Sequence, residues 1–422
     1  MSVFTSPVLA ISSKKGDWLL RWGVGQRKTI YLCMLVLGAC ALVLLVYLQK
    51  IWGQYQAQTA VHPAHFGDFF ALWSYAKILA AHPASELYNL VTLHVRQVAL
   101  GMAPSAQNPF PYPPTFLILI WPLSLLPYEA AYLAWVIGTL ALFIWAVAQT
   151  CSRLPLCILG VIVAPTTITC ISFGQSGFLA AALMIAGIRL AGSRPVLSGI
   201  LIGVLSYKPQ LGLLVPIALA SARLWPAFRI ACATVIGLAA ITTIAFGWAV
   251  WPAWISMLPS YAAIFDREAT LKYIPTVLGN LQMIGVALPV AKAIQGLAAI
   301  VVTVFVWRCF RRGPTRLATA ALLVGTFLAT PHAFIYDMPM TTAALILVIE
   351  ERRETTAEFN LAEALILILA FMFPLLMLVN DLRLPISSVP LALLFGLILW
   401  HQKQYPPGLG QVASCRSGRS RV

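Results

Sequence analysis

Carboxylates are scarce in this chain. Only 13 of its 422 residues are Asp or Glu, and charged residues of either sign make up 10%. A soluble globular domain carries about 25% charged residues, so this poverty rules out an ordinary water-facing surface. Alternating polar and apolar strands, the mark of an outer-membrane barrel, are missing as well. No two of the eight cysteines form a CxxC pair, and most stand inside apolar runs, so they read as small buried hydrophobes and not as a disulfide framework or a metal site. No convincing small-residue cleavage site follows the first apolar run, so no cleavable signal peptide is expected.

What fills the chain instead is apolar, at 60% of residues. Runs long enough for a bilayer, roughly 17–25 residues, recur from end to end. They lie near 29–48, 115–126, 129–148, 154–172, 174–190, 195–207, 210–222, 227–247, 289–307, 317–330, 338–349, 361–380 and 387–400. The reading is an all-α, polytopic integral membrane protein with about twelve spans, one segment within 115–172 being re-entrant or merged with a neighbour. The links at Lys208-Pro209-Gln210 and Pro331-His332 read as breaks between helices at the membrane surface, tolerated only where they line an enclosed cavity.

The net charge of +15 is placed for topology, not for nucleic acid. Basic residues cluster at 1–28, in the loops holding Arg189/Arg194, Arg223/Arg229, Arg308–Arg316 and Arg352/Arg353, and in the tail 402–422, all on the cytoplasmic side by the positive-inside rule. Between them lies the membrane domain, 29–401. Its loops 49–112 and 248–288 and the links at Lys208 and Pro331–Asp337 then share the opposite, extracytoplasmic side.

That side gathers the polar motifs. Asp68 sits among aromatics in Phe66-Gly67-Asp68-Phe69-Phe70, where a carboxylate is costly unless paired or used. With it stand Glu86-Leu87-Tyr88, Phe110-Pro111-Tyr112-Pro113-Pro114, Gly174-Gln175-Ser176, Tyr207-Lys208-Pro209-Gln210 and Pro331-His332-Ala333-Phe334-Ile335-Tyr336-Asp337. Each has a plain reading too. Asp68 and Gln175 can cap helices, Lys208 can snorkel to the interface, and His332 can be a bonded core histidine. Tyr112-Pro113-Pro114 can be a rigid helix entry, and Asp337 a cap or the partner of a cation. Trp248, Trp251 and Trp254 read most simply as an aromatic belt. His62, His65, His82 and His94 lack zinc-ligand spacing on one helical face, so no metal is expected.

The sharper reading joins a carboxylate, a lysine and a histidine at a lipid surface. Glycosyl transfer from a lipid phosphate uses all three. The carboxylate takes a proton from an acceptor hydroxyl, the cations neutralise the departing phosphate, and aromatics stack on sugar. The alternatives are a transporter or flippase for a lipid-linked glycan, which would show matched halves that this chain lacks, and a non-catalytic scaffold, for which the polar set would be gratuitous.

These motifs, with the small-Pro-x-x-x-Leu-Tyr step at 81–88, Phe-x-Tyr-Pro-Pro at 110–114, Gly-Gln-Ser-Gly at 174–177 and Gly199–Gly203 ahead of Lys208, resemble glycosyltransferase family 87 of the GT-C superfamily. Its best-known members are polyprenol-phosphate-mannose-dependent α-mannosyltransferases. The resemblance implies a GT-C fold with a long first extracytoplasmic loop carrying short helices, set in a bacterial inner (plasma) membrane. It also implies an inverting transfer on the periplasmic face without metal or other cofactor, from a polyprenyl-phosphate sugar to a glycolipid or glycan. By motif, Asp68 is the general base, His332 an essential site residue and Lys208 the phosphate ligand. Gln175, Tyr112, Gln210, Tyr336, Asp337, Glu86 and Tyr88 are supporting candidates. The first loop departs from the better-known members, with Phe70 and Trp73 after Asp68 and Ala81-His82-Pro83 in place of a glycine-rich step.

Overall fold

The computed structural model describes residues 68–265, 271–355, 359–378 and 385–404, with the isolated positions 38, 45 and 49. The expected first span, apart from two of those positions, lies outside the described residues, as do the basic N-terminus, Phe66-Gly67 and the tail from 405. Every regular element among the described residues is helical.

The first loop is a docked subdomain. Helix α1 (Phe69–Ala81) buries most of its length, and Pro83 ends the turn that follows it. The next helix, α2 (Leu90–Ala99), starts on an Asn89 side chain that accepts from the Val91 and Thr92 amides, which would otherwise lack partners. Polar anchors fasten α1 to the rest. Trp73 donates through Nε1 to the Leu126 carbonyl at 3.2 Å, Lys77 donates to the Ser124 carbonyl at 2.7 Å, and the Tyr75 hydroxyl donates to the Pro109 carbonyl at 2.6 Å.

The short helix α3 (Phe116–Ile120) leads into α4 (Tyr128–Ala148). Next comes a bent pair, α5 (Leu154–Ile162) and α6 (Pro165–Phe173), which turn 53° at their break. Pro165 opens α6 where its missing N–H costs no hydrogen bond, and it prevents α5 from running on. The break falls within the 115–172 stretch that an even count of crossings requires to be irregular. After it come α7 (Gly177–Leu190), α8 (Pro195–Val204), α9 (Pro209–Gly212), α10 (Val215–Ser221) and α11 (Trp225–Phe246). The second half runs through α12 (Val250–Phe265), α13 (Val277–Met283), α14 (Leu288–Phe310), α15 (Arg316–Ala329), α16 (Pro339–Glu354), α17 (Leu361–Leu378) and α18 (Ser388–Gln404).

Among the described residues, α4, α11 and α14 are each long and apolar enough to cross a bilayer, and the bent α5–α6 pair makes a fourth candidate; other apolar helices run 10–17 residues. The centre is α15, most of whose side chains are buried, as a helix apolar all round demands. Close approach of α8 to α11 rests on the Gly199/Gly203 pair. A Cβ on Gly203 would lie 2.4 Å from the Thr234 Cβ, and one on Gly199 2.5 Å from the Ile230 Cβ. Small residues four apart let two helix backbones meet in this way. The two expected links are indeed breaks. Lys208 separates a 3-10 turn from α9, and residues 330–338 separate α15 from α16 with one 3-10 turn at Ile335–Asp337.

Candidate active site

Gly174-Gln175-Ser176-Gly177 is the junction on which the site is built. Gly174 ends α6 in the left-handed conformation, φ +62°, and a Cβ there would lie 2.4 Å from the Phe69 Cβ. A Cβ on Gly177 would fall 1.8 Å from the Tyr336 carbonyl oxygen. The two glycines therefore let the head of α1 and the Ile335–Asp337 turn close on either side of Gln175. This brings Asp68 and Asp337 to one place from opposite ends of the chain.

Gln175 is the bridge. Its Nε2 donates to Asp68 Oδ2 over 3.4 Å, and its Oε1 accepts from the Tyr112 hydroxyl at 3.0 Å. Asp68 occupies the N-cap position of α1, but its side chain makes no cap hydrogen bond. Only its backbone carbonyl engages the helix, accepting from the Ala71 amide. The capping reading of Asp68 is thereby corrected, because the carboxylate is turned toward Gln175. Gln175 caps nothing either; the N-cap of α7 is Ser176, whose carbonyl accepts from the Tyr207 hydroxyl at 3.0 Å.

Lys208 does not snorkel. Its ammonium donates to Asp337 Oδ1 at 2.6 Å, and both side chains are only 2% exposed. Asp337 Oδ2 accepts from the Phe334 amide at 3.1 Å, so Asp337 both steadies its turn and pairs with the cation. The Lys208 Nζ lies 5.0 Å from the Tyr336 ring centre and 6.0 Å from that of Tyr112. An ammonium has three donors and Asp337 takes one.

Two cavities open on this constellation. One, about 310 Å³, is lined by Asp68, Tyr75, Gln107, Asn108, Gln175 and Tyr273 among others. The second, about 350 Å³, is lined by Tyr207, Lys208, Gln210, Trp254, His332 and Asp337 among others. They share a wall of Pro111, Tyr112, Tyr261, Phe334 and Tyr336, in which Phe334 and Tyr336 stack at 5.0 Å. The carboxylate thus faces one compartment and the cation the other, with aromatic rings between.

Burial raises the Asp68 carboxyl from its ordinary range to about 6, against the opposing effects of the Gln175 hydrogen bond and the Lys208 charge. The Tyr112 hydroxyl is pushed well above its usual range, first by burial and then by the negative charges of Asp337 and Asp68, and so stays a donor.

The structure thus brings Asp68, Gln175, Tyr112, Lys208, Gln210, His332, Tyr336 and Asp337 together. Glu86 and Tyr88 line neither cavity. Glu86 pairs with Arg96 at 3.0 Å on the first loop, and Tyr88 donates to the Tyr112 carbonyl at 3.2 Å while packing on Phe110. Their support for the site is structural, because both belong to the frame holding Phe110–Tyr112. Sequence reasoning missed the contribution of α12. Trp254, Leu258 and Tyr261 line the second cavity, and the Trp254 Nε1 donates to the Pro111 carbonyl at 3.3 Å. Their spacing of four and then three residues is the signal of one helix face. Trp248, largely exposed, does fit a belt.

The family model of glycosyltransferase family 87 matches residues 110–331, just over half of the chain. The chain belongs to glycosyltransferase family 87. Comparison with curated proteins and with solved structures gave no match. The family stretch takes in Tyr112, Gln175, Lys208, Gln210 and Trp254, and ends at the residue before His332. As a family-87 glycosyltransferase the protein needs a sugar donor and an acceptor. Asp68 lies outside the matched stretch, and Gln175 within that stretch donates to it.

Proposed function

We propose that the protein transfers a sugar, mannose or a close relative, from a polyprenyl-phosphate donor to a glycolipid or glycan acceptor on the extracytoplasmic face of the membrane, within a GT-C fold. The observation that carries this reading is the pair of adjoining compartments, one faced by Asp68 and the other by Lys208 and His332. The acceptor hydroxyl enters beside Asp68, and the donor phosphate lies against Lys208 and His332. The sugar spans the aromatic wall, where ring faces suit its C–H surfaces.

In the reaction the acceptor oxygen forms a bond to the anomeric carbon while the bond from that carbon to the phosphate oxygen breaks. The hydroxyl proton passes to the Asp68 carboxylate, and the phosphate leaves with the bonding electron pair. Attack from the Asp68 side, opposite the phosphate, inverts the anomeric centre. A carboxyl raised to about 6 is still ionised at pH 7, and it is a stronger base than an ordinary carboxylate. The spare donors of Lys208 and the His332 imidazole cover one leaving phosphate, so the reading requires no metal. The Lys208–Asp337 pair is neutral overall and orients the ammonium without pinning it by excess charge.

The deciding experiment supplies purified protein in proteoliposomes with a panel of polyprenyl-phosphate sugars and a radiolabelled sugar readout. Transfer from at least one of them, lost in Asp68→Asn, is expected. Transfer from nucleotide sugars alone, or full activity in that variant, would overturn the reading.

A further inference from the structure

The C-terminal ends of α14 and α18, on the side that the basic loops assign to the cytoplasm, form a third cavity of about 680 Å³, apart from the candidate active site. Four cations line it, namely Arg308, Arg311, Arg312 and Lys403, over a floor that includes Phe305 and Trp400, and no carboxylate is among its lining residues. Three other arginines assigned to the same face are neutralised by ion pairs. Arg316 pairs with Glu351 and Glu354, Arg353 with Glu350, and Arg352 with Glu363. None of the four cations in the cup makes an ion pair with a described residue.

The cup is built rather than incidental. The Gln402 Nε2 donates to the Cys309 carbonyl at 3.1 Å, and Phe305 meets Phe395 edge-on at 6.4 Å, so the two helix ends are fastened together beneath the cations. Helix C-termini carry negative dipole ends and favour some positive charge. That effect is worth a fraction of one charge per helix end, and two helix ends cannot balance four cations. Away from the cup, toward their N-termini, the same helices expose apolar side chains, among them Val301, Val304 and Leu393. A basic cup continued by an apolar helix surface matches a molecule with an anionic head and acyl chains.

We infer that this cup binds an anionic phospholipid of the cytoplasmic leaflet, its phosphate held by Arg308, Arg311, Arg312 and Lys403 and its chains laid along α14 and α18. The site is separate from the transferase cavities and independent of the donor assigned to them.

The test is native mass spectrometry of the full chain in detergent, titrated with phosphatidylglycerol, with phosphatidylcholine as the neutral lipid and inorganic phosphate as the soluble anion. One phosphatidylglycerol should be retained at least tenfold more tightly than phosphatidylcholine, with inorganic phosphate unable to displace it at equal concentration. A variant combining Arg311→Gln and Arg312→Gln should bind the lipid roughly 30-fold more weakly, at about fivefold per cation near a membrane surface. The charge-conserving pair Arg311→Lys and Arg312→Lys, which keeps the topology signal, should retain most of the binding, as should Arg223→Gln outside the cup. Equal retention of both lipids, undiminished binding in the double glutamine variant, or displacement by inorganic phosphate would each overturn the inference.

Discussion

In the proposed reaction a single carboxylate, Asp68, carries most of the chemistry. Asp68→Asn keeps the size and the Gln175 neighbour but removes the proton acceptor. We expect kcat to fall by about 10²–10⁴, the usual contribution of a positioned base, in single-turnover assays. In the wild-type enzyme kcat should decline as pH drops through about 6, where Asp68 takes up its proton, and should be level above it. The stability dependence has the opposite sign. Because the folded-state value is raised above the ordinary 3.8, the folded state binds the proton more tightly, and the stability this gives is lost as pH rises from there through about 6. Asp68→Asn should therefore unfold at or above the wild-type temperature at pH 8. A lower melting temperature for the variant at pH 8 would show that the carboxylate is structural. At Lys208 the signature differs. Lys208→Ala leaves Asp337 buried and unpaired, a cost of about 3–5 kcal/mol, and donor KM should rise more than acceptor KM. Replacing both partners, Lys208→Met with Asp337→Asn, which keeps an acceptor for the Phe334 amide, should restore much of the thermal stability while donor binding stays lost. Recovery of donor KM in the double variant would exclude a phosphate role for Lys208.

At the scale of elements, the junctions govern the geometry. Gly177→Ala places a methyl group against the Tyr336 carbonyl, so the Ile335–Asp337 turn must move and with it the Lys208 pair. We expect activity to fall well out of proportion to stability, read as kcat against melting temperature. Gly203→Val acts elsewhere, prising α8 from α11. It should lower the melting temperature while leaving the pH profile of the surviving enzyme unchanged. Much of this was legible in the sequence. The helical class, the breaks at Lys208 and Pro331, the irregularity within 115–172 and the gathering of Asp68, Lys208 and His332 all follow from apolar runs, prolines and the side assigned by basic loops. Three things were not legible. The orientation of the Asp68 side chain is one, because its position is a cap position and only the tertiary placement of Gln175 turns the carboxylate away from the helix. Glu86 and Tyr88 share a loop with the site but not a cavity, which local sequence cannot distinguish. Trp254 and Tyr261 carried a helix-face spacing, but belt tryptophans and site tryptophans look alike until the partner surface is known.

For the whole molecule, the reading predicts a sidedness. Gln107, on the wall of the Asp68 cavity, and Arg312, in the basic cup, should lie on opposite faces. In a background cleared of native cysteines, Gln107→Cys should react with a membrane-impermeant maleimide added to intact cells, whereas Arg312→Cys should react only after the membrane is opened. Labelling of both from the same side would refute the orientation, and with it the extracytoplasmic placement of the site. The two ends of the molecule also divide the labour of charge. Lys208 and Asp337 pair inside the candidate site, whereas Arg308, Arg311, Arg312 and Lys403 make no ion pair with a described residue.

The Lys208–Asp337 contact joins residues 129 positions apart. During synthesis at about 5–20 residues per second, the ammonium waits roughly 6–26 seconds for its carboxylate. An unpaired lysine is expensive in hydrocarbon, so over that interval the Lys208 link should stay at the water boundary, and its 2%-exposed position should form only once the Ile335–Asp337 turn arrives. The ion pair is thus a late event of biogenesis. A chain stalled before residue 337 should therefore lack the Lys208–Asp337 pair and, on the proposed reading, a complete donor compartment.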